Sequence, residues 1–327
     1  MIGDQLVTCK ARETHRVSAL DQPVHRAGFA CFVGRPNTGK STLTNALVGQ
    51  KVAITSARPQ TTRHTIRGIV SHPDAQLVLV DTPGFHRPRT LLGERLNDLV
   101  RATIAEVDVL GLCIPADEKI GPGDRFIVGE MAKAARRAPV FAVVTKTDIA
   151  GRDQIAAQLL AVARLGEQTG ISFAEIVPVS ALAGDQVDLL AQLLTARLPA
   201  GPALYPDGEL TDSPEMVMVA ELIREAALEG VRDELPHSLA VVVEEMVPRE
   251  GRGAHNPLLD IRAEVYVERD SQKGIIIGKG GARLREVGTA SRRQIEALLG
   301  TPVFLDLHVR VAKDWQRDPK QLRRLGF

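Results

Sequence analysis

The apolar run Phe29–Val33 breaks into Gly34, Arg35, Pro36, Asn37, Thr38, Gly39, Lys40, Ser41 and Thr42. Few folds accommodate a strand that turns so sharply and resumes as a helix. Glycine at Gly34 and Gly39 lets successive backbone N–H groups curl inward into an anion-binding concavity. The helix that follows adds the partial positive charge of its N-terminus. In this spacing Lys40 faces β- and γ-phosphate oxygens, and the Ser41 hydroxyl is placed to ligate Mg²⁺.

From Gly28 to about Pro199 short apolar runs alternate with amphipathic stretches. Strands are predicted at FACFVG, TIRGIVS, LVLVDT, VDVLGLCI, PVFAVVT and AEIVPVS, and helices over 39–49, 90–104, 123–136, 152–168 and 185–198. Strands this continuously apolar, separated by helices, imply an α/β domain with a mostly parallel sheet covered on both faces. Ligands of such sheets sit at the carboxyl ends of the strands.

The stretch Leu198–Glu215 is dense in Pro, Gly and Asp and reads as a linker. After it come a helix, two alternating strands, a short helical turn, a second helix and a last strand, the order α-β-β-α-α-β of a small α+β domain. The predicted organisation is an N-terminal extension over 1–26, a nucleotide domain over 27–199, a linker over 200–214 and a second domain over 215–327. A chain of 327 residues supports two cores of ordinary size.

Charge excludes a general affinity for polyanions, since 41 Lys plus Arg stand against 40 Asp plus Glu. That balance hides a division. Residues 202–268 hold five basic and fifteen acidic residues, whereas 269–327 hold thirteen and six. A nucleic-acid site is therefore expected on the second stretch, with RNA meeting one face of the domain only. Cys9, Cys31 and Cys113 lie far apart, which suits neither a zinc site nor a disulfide framework and fits a reducing compartment. No apolar stretch reaches the roughly 18 residues of a membrane span, so a cytoplasmic protein is expected.

Three further motifs end predicted strands. Asp81, Thr82, Pro83 and Gly84 offer a carboxylate for Mg²⁺ and a glycine N–H free to approach a γ-phosphate. Thr145, Lys146 and Asp148 follow the fifth strand, and Ser180 with Ala181 the sixth. A carboxylate at Asp148 accepts two bonds from the N1–H and N2–H₂ of guanine, a donor pair adenine lacks. Singly each motif is weak, but their order and placement point to a guanine nucleotide. An ATP-using P-loop enzyme such as a kinase is the reading that Asp148 and Ser180 disfavour.

With these motifs, the strings ITSARPQTTRHTIRGI and DTPGFH resemble the Era family of translation-factor-type GTPases. The resemblance covers about residues 27–326. It implies a GTP-hydrolysing domain joined to a type II KH domain that binds the 3′ end of small-subunit (16S) ribosomal RNA and acts in assembly of the 30S subunit. DNA is not an implied partner, and the resemblance leaves open a peripheral contact with the cytoplasmic face of the membrane. By the same resemblance Gly34–Thr42 would bind phosphates, and Thr61 or Thr62 would be the effector-loop threonine that joins Ser41 and Asp81 at Mg²⁺. Asp81–Gly84 would form the second switch, with Phe85 beside it at the nucleotide. Thr145, Lys146 and Asp148 would hold guanine, with Ser180 and Ala181 closing its pocket.

Two departures bear on chemistry. Thr145 stands where the family usually has asparagine, so one hydroxyl replaces a bracing amide, with guanine selectivity expected to survive. Phe85 stands where many GTPases carry a water-orienting glutamine, so intrinsic hydrolysis is expected to be slow. His86 beside it is expected to be idle. Asn37 matches related GTPases that hold K⁺ near the phosphates, where the ion would add positive charge as negative charge builds up.

In the second domain Gly278, Lys279, Gly280 and Gly281 form a GxxG loop between two helical stretches. In a KH domain such a loop lets the sugar-phosphate backbone approach closely while bases lie in an apolar groove. Ile276 and Ile277 are expected to line that groove, and Lys273, Lys279 and Arg283 to meet phosphates, with Arg285, Arg292 and Arg293 as further candidates. No aromatic platform is evident, and base stacking is a minor expectation. A constitutive RNA-binding assembly factor with a largely structural nucleotide domain is the alternative function, permitted by Thr145 and Phe85.

Overall fold

The computed structural model describes residues 24–56, 61–134, 138–231, 238–252 and 257–327. Cys9 and most of the 1–26 extension lie outside them. The first domain runs β1 (Arg26–Val33), α1 (Lys40–Val48), β2 (Ile66–His72), β3 (Ala75–Asp81), α2 (Leu91–Glu106), β4 (Val109–Pro115), α3 (Pro122–Ala134), β5 (Val140–Thr145), α4 (Arg152–Thr169), β6 (Phe173–Pro178) and α5 (Val187–Thr195). The sheet order is β2-β3-β1-β4-β5-β6, with β2 antiparallel to β3 and every other pairing parallel.

Burial of β3, β4 and β5 along their whole length explains why they read as unbroken apolar runs. The order reverses beside β1, where β3 lies on one side and β4 on the other, and this is the switch point at which open α/β sheets bind ligands. The P-loop leaves β1 there.

The second domain runs α6 (Glu215–Leu228), β7 (Ala240–Pro248), β8 (Leu259–Val267), α7 (Asp270–Ile277), α8 (Ala282–Leu299), β9 (Val303–Val311) and α9 (Pro319–Arg324). Its sheet order is β7-β8-β9, with β7 antiparallel and β9 parallel to β8. Helix α9, which the sequence pattern did not announce, starts at Pro319 under an Asp318 cap whose side chain accepts from the Lys320 N–H at 2.8 Å.

The segment read as a linker is tied along the sheet edge. Gln76 accepts from the N–H groups of Leu204 and Tyr205 at 2.7 and 2.8 Å, Leu210 accepts from the Ile69 N–H at 2.9 Å, and Arg67 pairs with Asp212 at 2.7 Å. The two domains also meet directly. Leu92 and Leu96 of α2 pack with Ala240, Tyr266, Trp315, Leu322 and Leu325, and Ile54 joins the core of the second domain. Among the described residues no helix is long and apolar enough to cross a membrane.

Candidate functional site

Helix α1 begins differently from its neighbours. Gly39 precedes it at φ 90°, no side chain caps it, and its first turn carries no acid. By contrast α2 is capped by Thr90 and has Glu94 in its first turn. The N–H groups of α1 are thus left for an anion. They open onto a cavity of about 840 Å³ lined by Pro36, Asn37, Gly39–Thr42, Thr61, Thr62, Gly84 and Lys146.

Lys40 is buried, its ammonium donating to the carbonyls of Arg35 at 2.8 Å and Gly34 at 3.3 Å. Burial pulls its pKa below the ordinary lysine value, against the opposing pull of Cys113 and Asp81. Phosphate oxygens would restore what burial takes away. Gly84 lies hard against this loop, since a Cβ there would stand 2.8 Å from the Pro36 nitrogen.

Ser41 and Thr62 each donate to one oxygen of Asp81, at 2.8 and 3.0 Å, and their hydroxyls are 3.0 Å apart. The other Asp81 oxygen is buried and has no hydrogen-bond partner. Burial raises the Asp81 pKa, with the Ser41 bond, Lys40 and the Thr62 bond pulling the other way. Hard oxygen donors converging with a buried, half-satisfied carboxylate fit Mg²⁺. Of the two effector-loop candidates, Thr62 is the one at this cluster. The Thr61 hydroxyl instead approaches the Ser56 carbonyl at 3.4 Å.

The base side is assembled from strand ends. Thr145 donates to the Thr38 carbonyl at 2.7 Å, so its hydroxyl braces the P-loop. Asp148 is exposed and receives the Ser180 hydroxyl at 2.7 Å, while Ser180 also accepts from the Ala183 N–H at 3.0 Å. Ala181 is half-buried beside it. Thr82 donates to the Phe32 carbonyl at 3.3 Å, which anchors the second switch to β1, and Pro83 is buried next to it.

Sequence reasoning missed Glu118, which pairs with Arg35 at 2.8 Å and lies 3.8 Å from Lys146, linking the P-loop to the base motif. It follows β4 in an ordinary acidic loop, and no local signal marks it. Phe85 is buried in the core, edge-on to Phe126 at 6.3 Å, and does not line the cavity in front of the P-loop. His86 Nδ1 lies 3.2 Å from the Gly84 carbonyl, and burial lowers its pKa.

The GxxG loop projects between α7 and α8, with Gly278, Gly280 and Gly281 all at positive φ and Lys279 exposed. Beside it a hollow of about 410 Å³ is lined by Gly281, Leu284, Arg285, Arg292, Phe304 and Leu307, among others. Three expectations are corrected here. Ile276 is 0 % exposed and belongs to the domain core, so it lines no groove, whereas Ile277 is half-buried against that core. Arg283 is half-buried and engaged by the protein itself, donating to the Glu229 carbonyl, approaching that of Ala226 at 3.5 Å and pairing with Glu286 at 3.4 Å. An aromatic surface does exist: Phe304 is 52 % exposed at the groove, with the Arg249 guanidinium 4.7 Å from its ring centroid. Lys273 is half-buried on α7, while Arg285, Arg292 and Arg293 are exposed on α8.

Family models match in both halves, a 50S ribosome-binding GTPase over residues 29–146 and a KH domain over 234–316. The chain is 73 % identical to GTPase Era of Streptomyces coelicolor over 95 % of its own length and 99 % of the relative's, and 71 % identical to GTPase Era of Mycobacterium avium over 92 % and 99 %. The chain belongs to the Era family of GTPases. Among solved structures, Era in complex with MgGDPNP and nucleotides 1506–1542 of 16S ribosomal RNA superposes with a TM-score of 0.85 at 37 % identity, covering 92 % of this chain and 99 % of that one. A single-residue variant of Aquifex aeolicus Era bound to GDP·AlF₄⁻ superposes at 0.84 and 36 % identity, with the same coverage.

Proposed function

We propose that this Era-family chain hydrolyses GTP to GDP and phosphate and uses the bound nucleotide to govern how its KH domain grips the 3′ end of 16S ribosomal RNA, in assembly of the 30S subunit. The observation that carries the reading is the convergence of Ser41, Thr62 and Asp81 in front of the P-loop. That Era has been captured with MgGDPNP and a 16S ribosomal RNA fragment supports the choice of ligands.

The P-loop N–H groups and Lys40 would hold the β- and γ-phosphates, with Ser41, Thr62 and Asp81 holding Mg²⁺. When bound, Mg²⁺ neutralises charge on the β- and γ-oxygens. Asp148, kept in place by Ser180, would read guanine, and Thr145 would keep the base motif and the P-loop in register. Lys279 and the exposed arginines of α8 would meet RNA phosphates, with bases in the groove between α8 and β9. The setting is cytoplasmic, and no step requires a membrane. Asn37, exposed at the rim of the cavity, would be beside K⁺.

The test is steady-state GTP hydrolysis with Mg²⁺ and K⁺, with and without a short RNA matching the 16S 3′ end. Lys40→Ala should lose at least about 100-fold in turnover. Gly280→Asp should retain turnover and lose the response to RNA. The second reading, a structural platform, is favoured by the inward packing of Phe85, and turnover that persists in Lys40→Ala would support it.

A further inference from the structure

We propose that the KH domain supplies a wall of the nucleotide site, the C-terminal turn of α6, and that Arg283 is the positioning residue that holds this wall and ties it to the GxxG loop. The proposal rests on the GTPase reading above.

Leu228, Glu229 and Gly230 line the same cavity as Ser41, Thr55 and Thr61, although they belong to the other domain. One turn earlier, α6 is clasped to the effector segment. Arg224 donates to the Thr61 carbonyl, and Glu225 accepts from the Thr55 N–H at 2.8 Å and pairs with Lys51. The helix then ends at Leu228, and the chain turns at Gly230, φ 70°.

A helix C-terminus carries partial negative charge, which is unfavourable beside phosphates. Arg283 answers this by donating to the Glu229 carbonyl, with Ala226 next in line. On its other side Arg283 is pressed against the first glycine of the RNA loop. A Cβ on Gly278 would stand 2.7 Å from the Arg283 Cβ and 2.9 Å from its nitrogen. A shift of the loop at Gly278 is thereby passed to Arg283, and through its bond to the Glu229 carbonyl to the end of the wall. RNA seated on the loop therefore reaches the nucleotide through one side chain and one helix end.

The experiment is stopped-flow release of a fluorescent GDP analogue from the full chain, with and without the 16S 3′-end RNA. Arg283→Gln should speed release by at least about fivefold, the scale of a typical inter-site coupling, and should abolish the effect of RNA on release. Arg283→Lys, which keeps the charge, should restore most of the wild-type rate. Affinity of Arg283→Gln for the RNA should stay within about twofold, because the guanidinium is already engaged by the Glu229 carbonyl and by Glu286. Glu229→Lys, an exposed position that leaves folding intact, should slow release by adding positive charge at the wall.

Unchanged release in both Arg283→Gln and Glu229→Lys overturns the proposal. So does a loss of RNA affinity in Arg283→Gln with release untouched, which would make Arg283 an ordinary RNA contact. A wild-type protein that ignores the RNA would count against the RNA reading, while the release rates of the variants would still decide the wall.

Discussion

Thr61 and Thr62 are neighbours with different work. The Thr62 hydroxyl donates to Asp81, whereas the Thr61 carbonyl is held by Arg224, 163 residues further along the chain. Spacing alone could not choose between them, because the choice is made by α6 of the other domain. Thr62→Ala should lower kcat at least about 100-fold, while Thr61→Ala, which keeps the backbone carbonyl, should stay within about threefold; single-turnover hydrolysis separates them. Thr145 is a comparable case, since its departure from asparagine is legible in the sequence but its replacement contact is not. Thr145→Val keeps the size and removes the donor, leaving the Thr38 carbonyl unpaired at a cost of about 1–3 kcal/mol. Titration with GDP should show affinity weakened by about tenfold.

At the scale of elements, strands are the legible part. The inner strands β3, β4 and β5 are buried along their whole length and therefore mostly apolar, whereas the edge strands β2 and β6 are partly exposed. Helix α7 departs from its sequence reading for a geometric reason. Three consecutive isoleucines on a helix point about 100° apart, so they cannot all face the core, and nothing local says which one turns outward. Ile276 is fully buried, Ile277 packs beside it, and Ile275 is left 56 % exposed. The hollow beside the GxxG loop is lined by α8 and β9, whose pattern looks like that of any amphipathic pair. Phe304 gives no sign of an aromatic platform in the sequence because its partner Arg249 is far away along the chain, yet the two meet across β7, β8 and β9, where Arg249 also pairs with Asp260 at 2.7 Å. Base stacking on an aromatic ring contributes about 1–3 kcal/mol, so Phe304→Ala should weaken binding of the 16S 3′-end RNA by about tenfold or more. Fluorescence anisotropy that shows no change would leave Phe304 outside the RNA path.

The whole molecule is held by charges that the sequence distributes over three distant segments. Arg63, just past Thr62, is fully buried, donates to the Leu239 carbonyl at 2.6 Å, and lies 5.7 Å from the Trp315 ring, which in turn stacks on Phe327. Burial and the nearby Arg224 work against the Arg63 charge, and Glu221 and Glu268 offset them. Glu221 itself is buried. Burial alone would raise its pKa, but the charge and hydrogen bonds of Arg224, with His64 and Arg63 adding to them, hold it below the ordinary value of 4.5. A carboxylate depressed in the folded state contributes stability that is complete above its unfolded pKa and is lost as pH falls through the lower folded value. The wild-type urea midpoint should therefore fall as the pH drops from about 5 toward 3. Glu221→Gln should lack that part of the slope. At pH 7 it should already be weaker by about 3–5 kcal/mol, because Arg224 is left buried without its ion-pair partner. Because Glu221 sits between the domains, calorimetry should then resolve two transitions where the wild type gives one. Parallel midpoint curves for the two proteins would mean that the interface draws its stability from the Trp315 cluster instead.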